Sequence, residues 1–243
     1  MRRAIIFGMG VDNQEYLEKL EKHTIKNEFG TADYYLYTHD IVLMPRHGFN
    51  HKHSIMEKNN HLSNVHALAE LNVGEAIQIA RCGSITNRLK PNCIGMLDDF
   101  VSFKAEASFG PTFGYQYTDM SHLYDCVLRA PMKQKMIEQG IEVADNLVYA
   151  CTAGPRLQTA AEVRAFMGMG CDCVGVVLSS ETTLLRELCI KSTAVVYSSN
   201  WATGIHPEKT EFIPTSAHNE LGDKLIRAAI AACKDTPFTE GGI

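Results

Sequence analysis

Short apolar runs with strand character alternate with segments of helical period along this 243-residue chain, and that alternation constrains the fold more than any single residue does. Ala4 to Phe7 reads as a strand closed by Gly8-Met9-Gly10. Tyr34 to Tyr37 and Ile41 to Met44 follow as strands, ahead of the loop Pro45-Arg46-His47-Gly48. Leu62, Val65, Leu68 and Leu71 fall at helical spacing within Asn59 to Leu71. Ala76 to Ala80 is a strand ending at Arg81-Cys82-Gly83-Ser84, and Cys93 to Phe100 is a further apolar segment. Phe103 to His122 is rich in Gly, Phe and Tyr and reads as a long irregular loop. The pattern then predicts a helix over Met132 to Gly140, a strand over Asn146 to Thr152 and a helix over Glu162 to Met169. A strand over Cys173 to Leu178, a helix over Glu181 to Leu188, a strand over Ser192 to Ser198 and a helix over Leu221 to Cys233 complete it. The expected class is α/β: one domain over residues 1–243, with a central, largely parallel twisted sheet flanked by helices.

Composition narrows the function classes. Charged residues make up 21% of the chain and the net charge is −5, with Lys and Arg scattered, so no nucleic-acid-binding or membrane-binding surface is expected. No apolar run approaches the length of a membrane span, and the start reads as a first strand with no signal-peptide cleavage pattern. Of the eight cysteines, Cys82, Cys93, Cys151, Cys171, Cys173 and Cys189 lie in or beside strand-like segments, where a thiol behaves as a small hydrophobe. Their spacing, like that of the histidines from His47 to His66, matches no compact metal site. Reduced thiols, a cytoplasmic location and no metal are the expectation.

Val195-Val196-Tyr197-Ser198-Ser199-Asn200-Trp201-Ala202-Thr203-Gly204 reads as a buried strand that presents one amide at its carboxyl tip. Ligands of open α/β sheets sit outside the carboxyl ends of the strands. An amide donates and accepts, which suits the adjacent N7 and O6 of a 6-oxopurine; an Asn in such a place is otherwise a turn or capping residue. Three more loops follow strands: Gly8-Met9-Gly10, Arg46-His47-Gly48 and Arg81-Cys82-Gly83-Ser84. Glycine-rich backbone cradles anions, and Arg beside His supplies a forked and a single donor for phosphate. Singly, each is an ordinary solvated loop; together they outline one pocket for an anion and a base at a single sheet edge.

At this point the chain resembles the trimeric purine nucleoside phosphorylase family, and within it the methylthioadenosine and methylthioinosine phosphorylase branch. The resemblance is carried by Ile5-Ile6-Phe7-Gly8-Met9-Gly10-Val11, Pro45-Arg46-His47-Gly48, Asn60 with Asn64 and Ala67-Leu68, and Cys82-Gly83-Ser84. It continues through Asp119-Met120-Ser121-His122-Leu123-Tyr124-Asp125, Thr152-Ala153-Gly154-Pro155-Arg156-Leu157-Gln158-Thr159-Ala160-Ala161-Glu162, Gly170-Cys171-Asp172 with Glu181, and Asn200-Trp201-Ala202. It implies phosphorolysis, in which phosphate attacks the anomeric carbon as the purine leaves, with inorganic phosphate as co-substrate and no cofactor. It implies that Arg46 and His47 hold phosphate together with the Gly8-Met9 loop. Asn200, beside Ala202, would contact N7 and the 6-substituent and, with His47, carry the catalysis. Asn there suits a 6-oxo base, where Asp suits a 6-amino one. Val176 stands where the family has a sugar-contacting Met, and His61 near where it has an aromatic residue. The resemblance also implies a homotrimer whose neighbouring subunit helps close the 5′ pocket, through Phe103 to His122, and a role in purine salvage.

Departures from the family pattern fall on the phosphate side. Met9 and Val177 replace hydroxyl residues, Ala80-Arg81 replaces a Thr-Ala pair, and Ala153 sits where a Glu or Gln reads the far edge of the purine. Each lost charge-assisted hydrogen bond is worth roughly 1.5–3 kcal/mol. Arg81 therefore has two readings, a surface cation at a loop start or a replacement phosphate ligand. Three functions compete: a phosphorylase acting on a 6-oxopurine nucleoside, with 5′-methylthio nucleosides among the candidates; an N-glycoside hydrolase in which water replaces phosphate; and a silent nucleoside-binding paralogue.

Overall fold

In the computed structural model, nine strands and six α-helices account for most of the described residues. They are β1 (Arg2–Phe7), β2 (Lys22–Asn27), β3 (Gly30–Thr38), β4 (Ile41–Pro45), α1 (Lys58–Glu70), β5 (Val73–Ser84), β6 (Ile94–Ser102) and α2 (Gly110–Phe113). The order continues with α3 (Arg129–Glu138), β7 (Val143–Cys151), α4 (Ala160–Gly168), β8 (Cys173–Gly175), α5 (Leu178–Glu187), β9 (Lys191–Trp201) and α6 (Thr215–Asp235). The structure describes residues 1–8, 10–11, 16–52, 58–104, 107–115, 117–206 and 210–238. Met9, expected in the phosphate loop, lies outside them.

All nine strands join one sheet in the order β2-β3-β4-β1-β5-β8-β7-β6-β9, and β9 also pairs with β5. The second pairing closes β5, β8, β7, β6 and β9 on themselves, while β1 to β4 extend from β5 as an open wing. One apolar cluster draws on all five closed strands, with Cys82, Leu97, Tyr149, Cys173 and Val196 among its members. In the wing, β1 shows the period of two that a doubly covered strand requires. Ile5 and Phe7 pack with Leu225 and Ile226 of α6, and Ala4 and Ile6 with Val65 and Leu68 of α1. Burying each such Leu, Ile or Phe side chain stabilises the fold by roughly 1.5–3 kcal/mol.

The sheet is mixed, with the expected parallel pairings alongside antiparallel ones. β1 pairs parallel with β4 and β5, β5 with β9, and β7 with β6 and β8, while β2–β3, β3–β4, β5–β8 and β6–β9 are antiparallel. The connections from β2 to β3 and from β3 to β4 are two residues long, far too short for a parallel crossover. β2, with the half-buried alternation of an edge strand, carried too few apolar residues to be anticipated. β8 stops at Gly175, three residues before the expected end, and Leu178 opens α5. A Cβ on Gly175 would collide with the Tyr149 hydroxyl, so glycine alone lets β8 and β7 close here. β9 runs on to Trp201, which puts Asn200 inside the strand rather than beyond it.

Candidate active site

A cleft of about 930 Å³, measured with its open mouth, lies at the carboxyl ends of β1, β4, β5, β8 and β9. Its place is the one the four loops pointed to. Gly8, Arg46, His47, Arg81, Val176, Val177, Asn200 and Ala202 all line it. His61 does not: it is buried on α1, away from the cleft lining. Ala153 is exposed and also stands outside the lining, whereas Gly154 to Gln158 form one wall.

Arg46 is held from every side. The Arg46 amide donates to Phe7 O, and its carbonyl accepts from Asn60 Nδ2 at 2.5 Å and Asn64 Nδ2 at 2.8 Å, both on α1. Its guanidinium donates through Nε and Nη2 to the two carboxylate oxygens of Glu181 at 2.7 and 2.9 Å, and through Nη1 to Ile79 O at 3.0 Å. Burial disfavours the guanidinium charge, but the Glu181 carboxylate outweighs it and raises the Arg46 pKa. Both side chains are 2% exposed. Gly8 allows the close approach: a Cβ there would lie 3.0 Å from Arg46 Nη1 and 3.5 Å from His47 Nε2. Family resemblance marks Glu181 without assigning its partner; the signal for its pairing is a carboxylate in the first turn of a buried helix.

Arg81 is different. It lines the cleft half-exposed, and among the described residues no carboxylate pairs with it. Its guanidinium carbon lies 5.6 Å above the Phe212 ring. A cation–π contact at an exposed ring is worth about 0.5–1 kcal/mol, less than the roughly 1.5–3 kcal/mol of a charge-assisted hydrogen bond. An oxyanion in the cleft would therefore win Arg81 from Phe212. The hydroxyl donors the family pattern calls for are missing from this wall: Val177 packs into the core and Val176 offers only its carbonyl, which accepts from Lys104 Nζ at 2.7 Å.

At the other end, Asn200 is 5% exposed and its amide is oriented by its neighbours. Ser199 Oγ donates to Asn200 Oδ1 at 2.7 Å, and Asn200 Nδ2 donates to Trp201 O at 2.8 Å. One N–H and one lone pair of the amide remain for a ligand. A second amide lies in the same wall. Gln158 is 8% exposed and donates through Nε2 to Thr152 Oγ1 at 2.6 Å, which leaves its carbonyl oxygen and one N–H. The family pattern puts the far-edge position at Ala153, whereas in this chain Gln158, in the same Gly-Pro-Arg segment, is the residue that faces the cleft. That wall is anchored by Arg156, which grips Glu162 in a two-pronged pair, and by a capping box between Thr159 and Glu162 at the start of α4.

With this geometry in view, the likeness to known proteins is direct. Residues 2–234 match the Phosphorylase superfamily. A probable 6-oxopurine nucleoside phosphorylase of Thermococcus kodakarensis is 31% identical over 93% of this chain and 90% of its own length. This chain belongs to the phosphorylase superfamily. A probable S-methyl-5′-thioinosine phosphorylase of Thermodesulfovibrio yellowstonii is 29% identical over 83% of this chain and 78% of its own. Among solved structures, an adenosine/methylthioadenosine phosphorylase variant of Schistosoma mansoni with bound methylthioadenosine superposes with a TM-score of 0.81 at 20% identity, over 96% of this chain and 90% of that one. That likeness is one of fold. It places this phosphorylase-superfamily chain in the single-domain nucleoside phosphorylase architecture, with a mixed sheet.

Proposed function

We propose that the protein cleaves the N-glycosidic bond of a 6-oxopurine nucleoside, 5′-methylthio nucleosides included, by phosphorolysis, acting as a pentosyltransferase. One observation carries the reading: Asn200, with an unused donor and acceptor, shares a single cleft with the Arg46-His47 loop and Arg81. The free N–H of Asn200 suits O6, and its free lone pair suits a protonated N7 as negative charge builds on the departing base. Gln158 faces the same cleft and supplies the second amide for the purine edge. Inorganic phosphate attacks the anomeric carbon as its bond to the base breaks, giving a sugar 1-phosphate and the free purine, which is purine-salvage chemistry. The relatives named as 6-oxopurine and thioinosine phosphorylases support this choice of base. The hydrolase reading has its own support in Val176 and Val177, which offer no hydroxyl, and in the engagement of Arg46 by Glu181. A panel of nucleosides incubated with and without phosphate separates the two. Sugar 1-phosphate formed only with phosphate supports phosphorolysis, and free sugar released at the same rate in its absence replaces it with hydrolysis.

The assembly we propose is a homotrimer. The segment between β6 and α3 exposes Phe103, Phe113, Tyr115 and Tyr117, at 74%, 50%, 83% and 110% of their reference areas, a run of apolar surface that a second copy would cover. A monomeric mass at micromolar concentration would remove this proposal. Free thiols at all eight cysteines favour a reducing compartment, and we place the protein in the cytoplasm. Among the described residues no helix is long and apolar enough to cross a membrane.

A further inference from the structure

We propose that the cleft selects its base at C2 as well as at C6, and that Gln158 makes the preferred substrate a 2,6-dioxopurine nucleoside, with carbonyls at both positions. The proposal rests on the 6-oxopurine reading above and names the substrate within it. Gln158 is 8% exposed and lines the cleft together with Asn200. The two segments that carry these amides touch. Gly204, four residues after Asn200, comes so close to Ala160, two residues after Gln158, that a Cβ on Gly204 would lie 2.4 Å from the Ala160 side chain. A planar base that gives N7 and O6 to Asn200 turns the next part of its edge, N1 and C2, to the adjoining wall. Gln158 is the buried amide of that wall.

The orientation of the amide decides what it can read. Gln158 Nε2 donates to Thr152 Oγ1 at 2.6 Å, while the Thr152 hydroxyl directs its own proton to Gly175 O at 3.4 Å. Thr152 thus offers the amide a lone pair, and it is the amide nitrogen that turns toward it. The segment is fixed on both sides of Gln158. Thr152 N donates to Gly175 O at 2.9 Å, Arg156 grips Glu162, and Thr159 caps α4. What remains for a ligand is one acceptor, Oε1, and one N–H. Every 6-oxopurine donates N1–H, which Oε1 accepts, so the 2-substituent decides the rest. A 2-oxo group accepts the remaining N–H, and both halves of the amide are paired. Hydrogen at C2 leaves that N–H unused. A 2-amino group sets donor against donor and leaves Oε1 alone to serve both N1–H and the amine. A buried donor left without a partner is what gives such a site its discrimination. The expected order is therefore 2-oxo, then 2-hydrogen, then 2-amino. A carboxylate in the same place would reverse the two ends of that order, since it offers acceptors alone.

The test measures kcat/KM for xanthosine, inosine and guanosine, and the stabilisation of the protein by xanthine and by hypoxanthine in thermal unfolding. Wild type is compared with Gln158→Glu and Gln158→Ala. Wild type is expected to favour xanthosine over guanosine ~10-fold or more, equivalent to about 1.4 kcal/mol, with inosine between them. Gln158→Glu should invert the preference, and Gln158→Ala should bring the three nucleosides within about threefold of one another. Guanosine cleaved by wild type as well as xanthosine, or better, overturns the proposal, and this arm needs no variant to fold. An unchanged order in folded Gln158→Glu removes Gln158 as its cause. If no nucleoside turns over, base binding decides: xanthine stabilising no better than hypoxanthine overturns the proposal. Failure of all three nucleosides and both bases overturns the 6-oxopurine reading itself, whereas turnover led by guanosine overturns the C2 preference and leaves that reading standing.

Discussion

Two buried arginine–glutamate pairs stand at opposite edges of the sheet, and they are built for different ends. Arg3 and Glu75 lie near the amino ends of β1 and β5. Arg3 donates to Glu75 Oε2 at 2.8 Å, to Cys233 O at 2.8 Å, to Pro237 O at 2.9 Å and to Thr236 O, and the Phe238 ring covers its guanidinium at 4.1 Å. Those carbonyls belong to the last turn of α6 and the residues after it, where a cation also meets the negative end of the helix dipole. Every nitrogen of Arg3 is engaged, and residues 236–238 close over it. Arg46 and Glu181 lie at the carboxyl edge, where the same chemistry borders an open cleft. One pair closes the fold; the other holds the frame of a site and leaves its wall accessible.

The largest effects should come from breaking these pairs singly, because an uncompensated buried charge costs about 3–5 kcal/mol. Arg3→Met should lose that much stability in denaturant unfolding while the phosphate KM of the folded protein stays unchanged. Glu181→Gln should lose a similar amount, yet strengthen stabilisation by phosphate, since Arg46 then faces the cleft with its charge unmatched. If both variants moved stability alone, the distinction between the two edges would collapse.

Asn200→Asp comes next. Ionised Asp has only acceptors, so it repels O6 and favours a 6-amino group. It also sets an oxygen against Trp201 O in place of the present donor, so absolute activity should fall on both substrates. The informative readout is the ratio of kcat/KM for the oxo- and amino-nucleosides, expected to shift ~100-fold or more toward the amino form. A slower enzyme with its preference intact would make Asn200 structural. Gln158→Ala should be milder, a loss of roughly 1 kcal/mol in kcat/KM, or about fivefold, if the amide makes one neutral hydrogen bond to the base. No change would confine Gln158 to bracing Thr152.

The smallest effect should be that of pH on the cleft wall. The Arg156 hydrogen bonds, then the Thr159 amide, hold the Glu162 carboxyl at about 2 against its usual 4.5. A depressed carboxylate stabilises above its unfolded value, and the contribution is lost as pH falls through the folded one. Protection of the 154–162 backbone in hydrogen exchange should therefore decline between about pH 4.5 and pH 2, with only a slight effect on overall stability because the pair is exposed. A loss centred near pH 6 would point to a histidine instead.

Much of this molecule was legible before any coordinates. The helical spacing of Leu62, Val65 and Leu68 and the apolar runs at Ala4 and Ile41 read correctly, because periodicity is a local property of the chain. The four loops after strands also converge on one cleft, since carboxyl-edge loops have little choice of place. Val176 and Val177 were harder: an apolar run that turns into a helix looks like a longer strand until the Tyr149 contact at Gly175 ends it. Gln158 and Ala153 are five residues apart in one segment, and only the path of the loop decides which amide or methyl faces inward.

The sequence by itself determined the alternation of elements, the amide near the end of β9 and the absence of hydroxyl residues at positions 9 and 177, all of which depend on neighbours within a few positions. Only the tertiary structure decided the direction of each strand, the closure of β9 onto β5 and the partnership of each arginine. Arg46 and Glu181 are 135 residues apart, and nothing local to either says that they meet. A charge becomes available to a ligand or is neutralised according to which distant group packing delivers to it, and that is settled when the sheet and its helices assemble.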